Sequence, residues 1–289
     1  MDSRFYSPLR YPGGKTSIFP FVAKVFYEND LVGASYAEPY AGGAGLALKL
    51  LFAEYVEKIY INDLDKAIFA FWQTVTTNSR AFCDWISNVE ISVENWHFYK
   101  SVQSNPNEHD EFTLAKSTFF LNRTNVSGVI KGGIIGGYDQ KGVYKIDARF
   151  KKDALIEKIE RISCFKHRIR VSNLDGLEFI KRMDRKKEEI FIYLDPPYFQ
   201  KGADLYLNFY QKEDHRKLSN AVHRIKKKWM VSYDNHDFIL NLYGEKAKIT
   251  YKLSQGASNR IGDEILIFAD NLLLRDAYEA LTRPASLYI

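Results

Sequence analysis

Short apolar runs recur along this chain, and most are followed by a stretch with helical spacing. SYAEPY (Ser35–Tyr40) leads into AGGAGLALKLLFAEY, which reads as strand, glycine turn and helix. KIYIND (Lys58–Asp63), RIRVSNLD (Arg168–Asp175) and EEIFIYLD (Glu188–Asp195) read as further strands, each ending in an acid. KWMVSYDN (Lys228–Asn235), AKITYKL (Ala247–Leu253) and EILIFAD (Glu264–Asp270) supply the rest. Between them, KEDHRKLSNAVHRIKKK sets Leu218, Val222 and Ile225 at helical spacing. Alternation of this kind predicts an open α/β sheet with helices on both faces and a ligand crevice at the carboxyl ends of the strands. Asp63, Asp175, Asp195 and Asp234 all fall at such ends. One terminal aspartate is most often a helix cap, whereas four suggest a polar crevice.

Residues 70–165 break the rhythm. They begin helical and aromatic (FWQTVTTNSRAFCDWI, WHFYKSV) and turn glycine-rich in NRTNVSGVIKGGIIGGYDQKGVY. The shift predicts a mostly helical module with a β-hairpin, inserted into a domain made of residues 1–69 and 166–289.

Two glycine clusters invite a nucleotide reading. LRYPGGKTS ends like a phosphate-binding loop, but that loop needs a glycine where Leu9 stands and a strand before it, and the proline-broken MDSRFYSP is not one. A nucleotide hydrolase is therefore excluded. Gly42, Gly43 and Gly45 follow a strand and open a helix without the spacing of a dinucleotide fingerprint. Asp63 stands about 20 residues further on, where an acid commonly meets a ribose hydroxyl. An adenosine-bearing ligand other than NAD fits, and S-adenosylmethionine meets that description; a merely well-packed glycine turn fits as well.

YLDPPYF (Tyr193–Phe199) carries the chemistry. Proline offers a carbonyl and no N–H, so Asp195, Pro196 and Pro197 make a cluster of acceptors with few donors. Such a cluster suits an exocyclic amine on a base. Its lone pair is delocalised into the ring, and accepting both hydrogens, at the Asp195 carboxylate and the Pro196 carbonyl, returns it to nitrogen. The same acceptors stabilise the positive charge that develops during attack on a methyl sulfonium. Tyr198 would stack on the base and align it.

In order, RYPGGK, EPYAGGAG, IND, SNLDGLEF and DPPY resemble the Dam-type adenine-N6 DNA methyltransferases of the D12 class, with the alpha-group order of motifs. FFLNRTNVSG (Phe119–Gly128) resembles that family's recognition region, and NRIGDEILI its closing hairpin. The resemblance runs from about Leu9 to Phe268. It implies a Rossmann-like S-adenosylmethionine-dependent methyltransferase sheet carrying an inserted target-recognition domain. It further implies that Tyr11 and Lys15 lie against S-adenosylmethionine, that Glu38 and the Gly42–Gly45 turn lie beside its methionine part, and that Asp63 is on the ribose. Asp175 is implied near the cofactor's adenine, and Asp195 to Tyr198 on the target amine. Where the family often has tryptophan and alanine in its opening string, this chain has Tyr11 and Pro12, and its hairpin KGGIIGGYDQKG differs from that of GATC-specific members. Cytosine-N4, RNA and glutamine methyltransferases more often carry serine or asparagine in place of Asp195, and a catalytically silent DNA-binding relative would lack motif residues that are all present.

Charge adds a partner. Lys and Arg total 41 against 36 Asp and Glu, a net +5 with pI near 8.9, which favours a polyanion only weakly. The insert concentrates candidates for double-stranded DNA contact, namely Asn122, Arg123, Asn125, Lys131, Lys141, Lys145 and Arg149, with Lys151 beside them. The two asparagines are equally suited to turns. An adenine in a duplex must be flipped out before its amine can react. Two cysteines, Cys83 and Cys164, without Cys-x-x-Cys spacing, and six scattered histidines give no metal site. No stretch approaches a membrane span and no apolar signal core opens the chain, so a soluble cytoplasmic enzyme is expected. It is expected to act as a monomer on DNA, in some systems alongside a cognate restriction nuclease.

Overall fold

The computed structural model describes residues 6–11, 13–200, 210–255, 260–281 and 284–288. In chain order the helices are α1 (Phe19–Glu28), α2 (Gly45–Phe52), α3 (Lys66–Thr77), α4 (Ser79–Asn88), α5 (Val93–Ser104), α6 (Glu111–Thr124), α7 (Lys152–Cys164), α8 (Gly176–Asp184), α9 (Lys212–Val222) and α10 (Asp237–Tyr243). The strands are β1 (Ser35–Glu38), β2 (Lys58–Asn62), β3 (Ile169–Ser172), β4 (Ile190–Leu194), β5 (Trp229–Asp234), β6 (Lys248–Gln255), β7 (Arg260–Phe268) and β8 (Pro284–Tyr288). Contacts divide the chain into two compact units, one made of Gly13–Asp63 and Leu174–Ile289, the other of Met1–Pro12 and Leu64–Asn173. RYPGGK straddles that division, with Tyr11 in one unit and Lys15 in the other, and its Pro12 lies outside the described residues.

The first unit holds a mixed sheet whose seven strands run β2-β1-β4-β5-β7-β6-β8. β2, β1, β4 and β5 are parallel, and β7, β6 and β8 join antiparallel to their neighbours. Every residue of β1, β4 and β5 is buried, as expected where helices cover both sides of a parallel sheet. That explains why IFIYL and WMVSYD read as continuous apolar runs rather than alternating ones. From β1 the chain steps outward to β2, and β4 returns to the other side of β1. A reversal of this kind opens a crevice at the carboxyl ends of β1 and β4. The β6–β7 pair supplies the closing hairpin, in register from Lys248 opposite Ile267 to Gln255 opposite Arg260.

The second unit packs α3 to α7 around aromatic rings. Phe71 stacks on Phe119 at 5.6 Å, and Phe82, Trp85 and Phe150 meet Phe119 edge-on. Side chains of Asp65, Ser92 and Asp110 cap α3, α5 and α6. The hairpin expected in the glycine-rich segment is corrected here: residues 126–145 form turns, with one antiparallel bridge from Asn125 to Ile134. Gly136 and Gly137 both adopt positive φ, 85° and 74°, which bends the chain where a ladder would need it extended.

Candidate active site

Lys15 sits in a 3₁₀ turn just before α1. Its loop does not wrap a phosphate. Gly13, at φ 76°, lets the chain double back, so the Lys15 ammonium donates to the Gly13 carbonyl at 2.8 Å and to Asp195 Oδ2 at 3.0 Å. The Lys15 side chain is almost wholly buried, at 4% exposure, and such a charge is tolerated only with partners. Glu264 Oε2, on β7, lies 3.8 Å from the same ammonium, and the Tyr198 ring lies 5.0 Å from it.

Asp195 follows β4 directly, and its carboxylate is oriented from behind. The Ser232 hydroxyl, on β5, donates to Asp195 Oδ1 at 2.6 Å. A serine has one proton to give, so the Tyr193 hydroxyl, 2.9 Å away, must donate to Ser232. Asp234 closes the turn by accepting the Phe199 and Gln200 amides at 2.9 and 2.8 Å. The turn carrying Pro196, Pro197 and Tyr198 is thus pinned at both ends. Tyr198 is buried and its hydroxyl has no hydrogen-bond partner among the described residues. Burial, with Asp195 and Glu264 nearby, pushes that hydroxyl's pKa well up, so it stays a neutral donor.

At the end of β1, the buried Glu38 carboxyl accepts the Tyr36 hydroxyl at 2.8 Å. Burial pushes its pKa to about 8 against the opposing effect of that hydrogen bond, with Asp195 adding repulsion. Gly42 and Gly43 are buried in the turn that follows, with Gly42 at φ 45° and Ala44 also left-handed at 44°. A Cβ on Gly45 would stand 2.5 Å from Thr16 Oγ1, so a side chain there requires the Thr16 hydroxyl to shift. Asp63 accepts the Gly42 amide at 2.9 Å and thereby holds the glycine turn. Asp175 is exposed and caps α8 through the Leu177 and Glu178 amides, at 2.9 and 3.3 Å. Gly176 beside it is required because a Cβ would lie 2.7 Å from the Tyr40 hydroxyl.

The predicted DNA contacts separate into two groups. Asn122 and Asn125 are buried, and their amides are saturated by the chain itself. Asn122 accepts the Arg10 amide at 2.7 Å and donates to the Arg10 and Gly128 carbonyls, each at 2.8 Å. Asn125 accepts the Trp96 indole N–H at 2.6 Å and donates to the Val129 and Ile130 carbonyls, each at 2.9 Å. Arg123 is buried, donates to the Pro8 carbonyl, and has its pKa pushed down to about 9 by burial and by Arg10. As folded, the two asparagines brace a turn with their amides fully engaged, while the buried Arg123 Nε has no hydrogen-bond partner among the described residues. Lys131, Lys141, Lys145 and Arg149 are exposed.

Sequence reasoning missed Ser232, Glu264 and the clamp made by Asp234. Only Asp234 left a signal, as an acid at a strand end. Among the described residues no group of His, Cys, Asp and Glu is arranged to hold a metal ion, and no helix is long and apolar enough to cross a membrane.

A sheet of this order, with a glycine turn after β1 and an acceptor-rich turn after β4, defines a Rossmann-like methyltransferase. The chain belongs to the D12 class N6 adenine-specific DNA methyltransferases, whose family model matches residues 11–255. It is therefore an adenine-specific DNA methyltransferase. It is 25% identical over 240 residues to the Type II methyltransferase M.CviBI of Paramecium bursaria Chlorella virus NC1A, covering 80% of this chain and 86% of that one. Among solved structures it is similar to PH1948 of Pyrococcus horikoshii, described as an RNA methyltransferase (TM-score 0.42, 12% identity, covering 90% of this chain and 87% of that one). It is also similar to TrmN of Thermus thermophilus (TM-score 0.39, 10% identity, covering 86% and 49%).

Proposed function

We propose that this enzyme transfers the methyl group of S-adenosylmethionine to N6 of an adenine turned out of duplex DNA, with Asp195 and the Pro196 carbonyl accepting the two amine hydrogens. The observation that carries the reading is the Asp195 carboxylate, oriented through Oδ1 by Ser232 and presented through Oδ2 beside the buried Tyr198 ring.

Residues at the end of β1 fit the cofactor. Glu38 is a buried carboxyl suited to an ammonium, and the Gly42–Gly45 turn lets a ligand approach the backbone. The resemblance supports Asp63 for the ribose, Asp175 for the adenine, and Lys15 and Tyr11 for contact with the cofactor. When bound, S-adenosylmethionine supplies an electrophilic methyl group on a sulfonium. The protein's part is to ready the nucleophile. Hydrogen bonds from the amine to Asp195 and Pro196 restore the nitrogen lone pair, and Tyr198 holds the ring in line. As the N–C bond forms and the C–S bond breaks, nitrogen becomes positive, and the fixed Asp195 carboxylate stabilises that charge without reorganising. The surplus proton then leaves to water.

We read the helical unit, expected over 70–165, as the recognition module, with Lys131, Lys141, Lys145 and Arg149 on its exposed surface meeting phosphate or base. The Type II name of the viral relative supports a modification role paired with a cognate restriction nuclease; we further propose that the enzyme acts on DNA as a monomer. The test is incubation of purified protein with labelled S-adenosylmethionine and duplex DNA, followed by nucleoside mass spectrometry. N6-methyladenine is expected; N4-methylcytosine, or label in RNA alone, overturns the reading.

A further inference from the structure

The Lys15 ammonium lies between two carboxylates, and the second carboxylate has no task in the reaction described above. Glu264 is buried at 1% exposure on β7, which runs antiparallel between β5 and β6. The β6–β7 register sets Tyr251 directly opposite it, and the Tyr251 hydroxyl donates to Glu264 Oε2 at 2.7 Å. Glu264 Oε1 is buried with no hydrogen-bond partner among the described residues. A buried carboxylate oxygen left without a donor is costly, and such an atom calls for an explanation. The Lys15 ammonium lies 3.8 Å from Oε2 and is hydrogen-bonded instead to Asp195 Oδ2 at 3.0 Å.

That pairing obstructs the chemistry. Asp195 Oδ1 already accepts from Ser232 and Oδ2 from Lys15, so a target amine arriving at Oδ2 must share that oxygen with an ammonium. An ammonium held there also opposes the positive charge that nitrogen acquires in the transition state. Building on the reading of Asp195 given above, we infer that Glu264 is a positioning residue that takes the Lys15 ammonium when the target amine engages Asp195. The lysine turns from Asp195 Oδ2 toward the Glu264 carboxylate and keeps its bond to the Gly13 carbonyl. The Glu264 carboxylate gains a second donor beside Tyr251, Asp195 gains the amine, and no buried charge is left alone. Glu264 touches neither substrate nor cofactor in this scheme; it acts through Lys15.

Steady-state methylation of duplex DNA by Glu264→Gln tests this. With the ammonium no longer drawn from Asp195, kcat should fall about 10- to 100-fold while KM for DNA changes little, the pattern of an interaction made on the way to the transition state. Glu264→Asp, which keeps the charge, should recover part of the loss. The decisive measurement is the double variant: in a Lys15→Met background, Glu264→Gln should change kcat no further. Wild-type kcat in Glu264→Gln overturns the inference, as does an equal loss with and without Lys15, since a merely structural role would give that additivity. Should Glu264→Gln fail to fold, the same cycle run with Glu264→Asp decides it. Failure of the wild type to form N6-methyladenine would instead strike the proposed function, so the two failures are separable.

Discussion

The turn after β4 and the end of α6 are both short, polar segments singled out by their side chains, yet the Asp195 carboxylate and the Asn122 and Asn125 amides end in opposite conditions. At the end of α6, each amide of Asn122 and Asn125 has both its hydrogens and its oxygen engaged, almost all with main chain. After β4, Asp195 is anchored through one oxygen and leaves the other exchangeable, while the Tyr198 hydroxyl has no partner among the described residues. Full satisfaction marks a part that holds the fold. Deliberate incompleteness marks a part waiting for something to bind. Asp195→Ala gives the largest effect expected from this contrast. Methyl transfer should fall by about three orders of magnitude or more, since a preorganised group facing developing charge is lost, while the thermal midpoint stays near that of the wild type. Labelled-methyl transfer and a melting curve, read together, check it; retained activity would move the chemistry elsewhere.

Asn125→Ala should behave in the reverse way. It strands the Trp96 indole and two carbonyls in the interior, at a cost of about 2–4 kcal/mol. Denaturant unfolding should show the lost stability, whereas kcat measured at a temperature where the variant is folded should stay within a few-fold of wild type. A variant with normal stability and abolished DNA binding would reinstate the asparagine as a contact.

How far the sequence disclosed these two conditions depended on which partners are local. The sheet was legible because strands buried on both sides are written as unbroken apolar runs, and Asp195 because two prolines after a strand leave few alternatives. Ser232 was not legible, since one serine within WMVSYD reads as packing until β5 is set beside β4. Glu264 depended on register: only the antiparallel seating of β7 against β6 brings it to Tyr251. For Asn122 the saturating partner is Arg10, 112 residues away along the chain, so FLNRTN could be read as a contact surface. The insert's glycines were read as a hairpin turn, although glycine spacing does not specify whether the flanking residues pair.

Ser232→Ala sharpens the contrast from within the reactive turn. It removes the donor that orients Asp195 Oδ1 and leaves the carboxylate itself in place. About a tenfold fall in kcat is expected, near the energy of one charge-assisted hydrogen bond, with S-adenosylmethionine affinity unchanged in calorimetry. A loss as deep as that of Asp195→Ala would make the serine a participant in the chemistry, and no loss would show that Pro196 and Tyr198 fix the carboxylate without help.

The smallest effect is a dependence on pH carried by Glu38, at the end of β1. Glu38 has its pKa raised to about 8, with burial as the main cause. In the unfolded chain it titrates near 4.5, so between those values the folded protein holds a proton that the unfolded chain has released. Its contribution to stability is therefore fully present below the unfolded value and is lost as pH rises through about 8. The slope is at most about 1.4 kcal/mol per pH unit. Glu38→Gln should flatten that part of the stability profile between pH 5 and about 8, whereas Asn125→Ala should lower the profile without changing its slope, because an amide does not titrate. Denaturant midpoints measured across this range separate the two. If the slope survives in Glu38→Gln, another group carries it, and Glu38 is already ionised in the folded protein before any cofactor arrives.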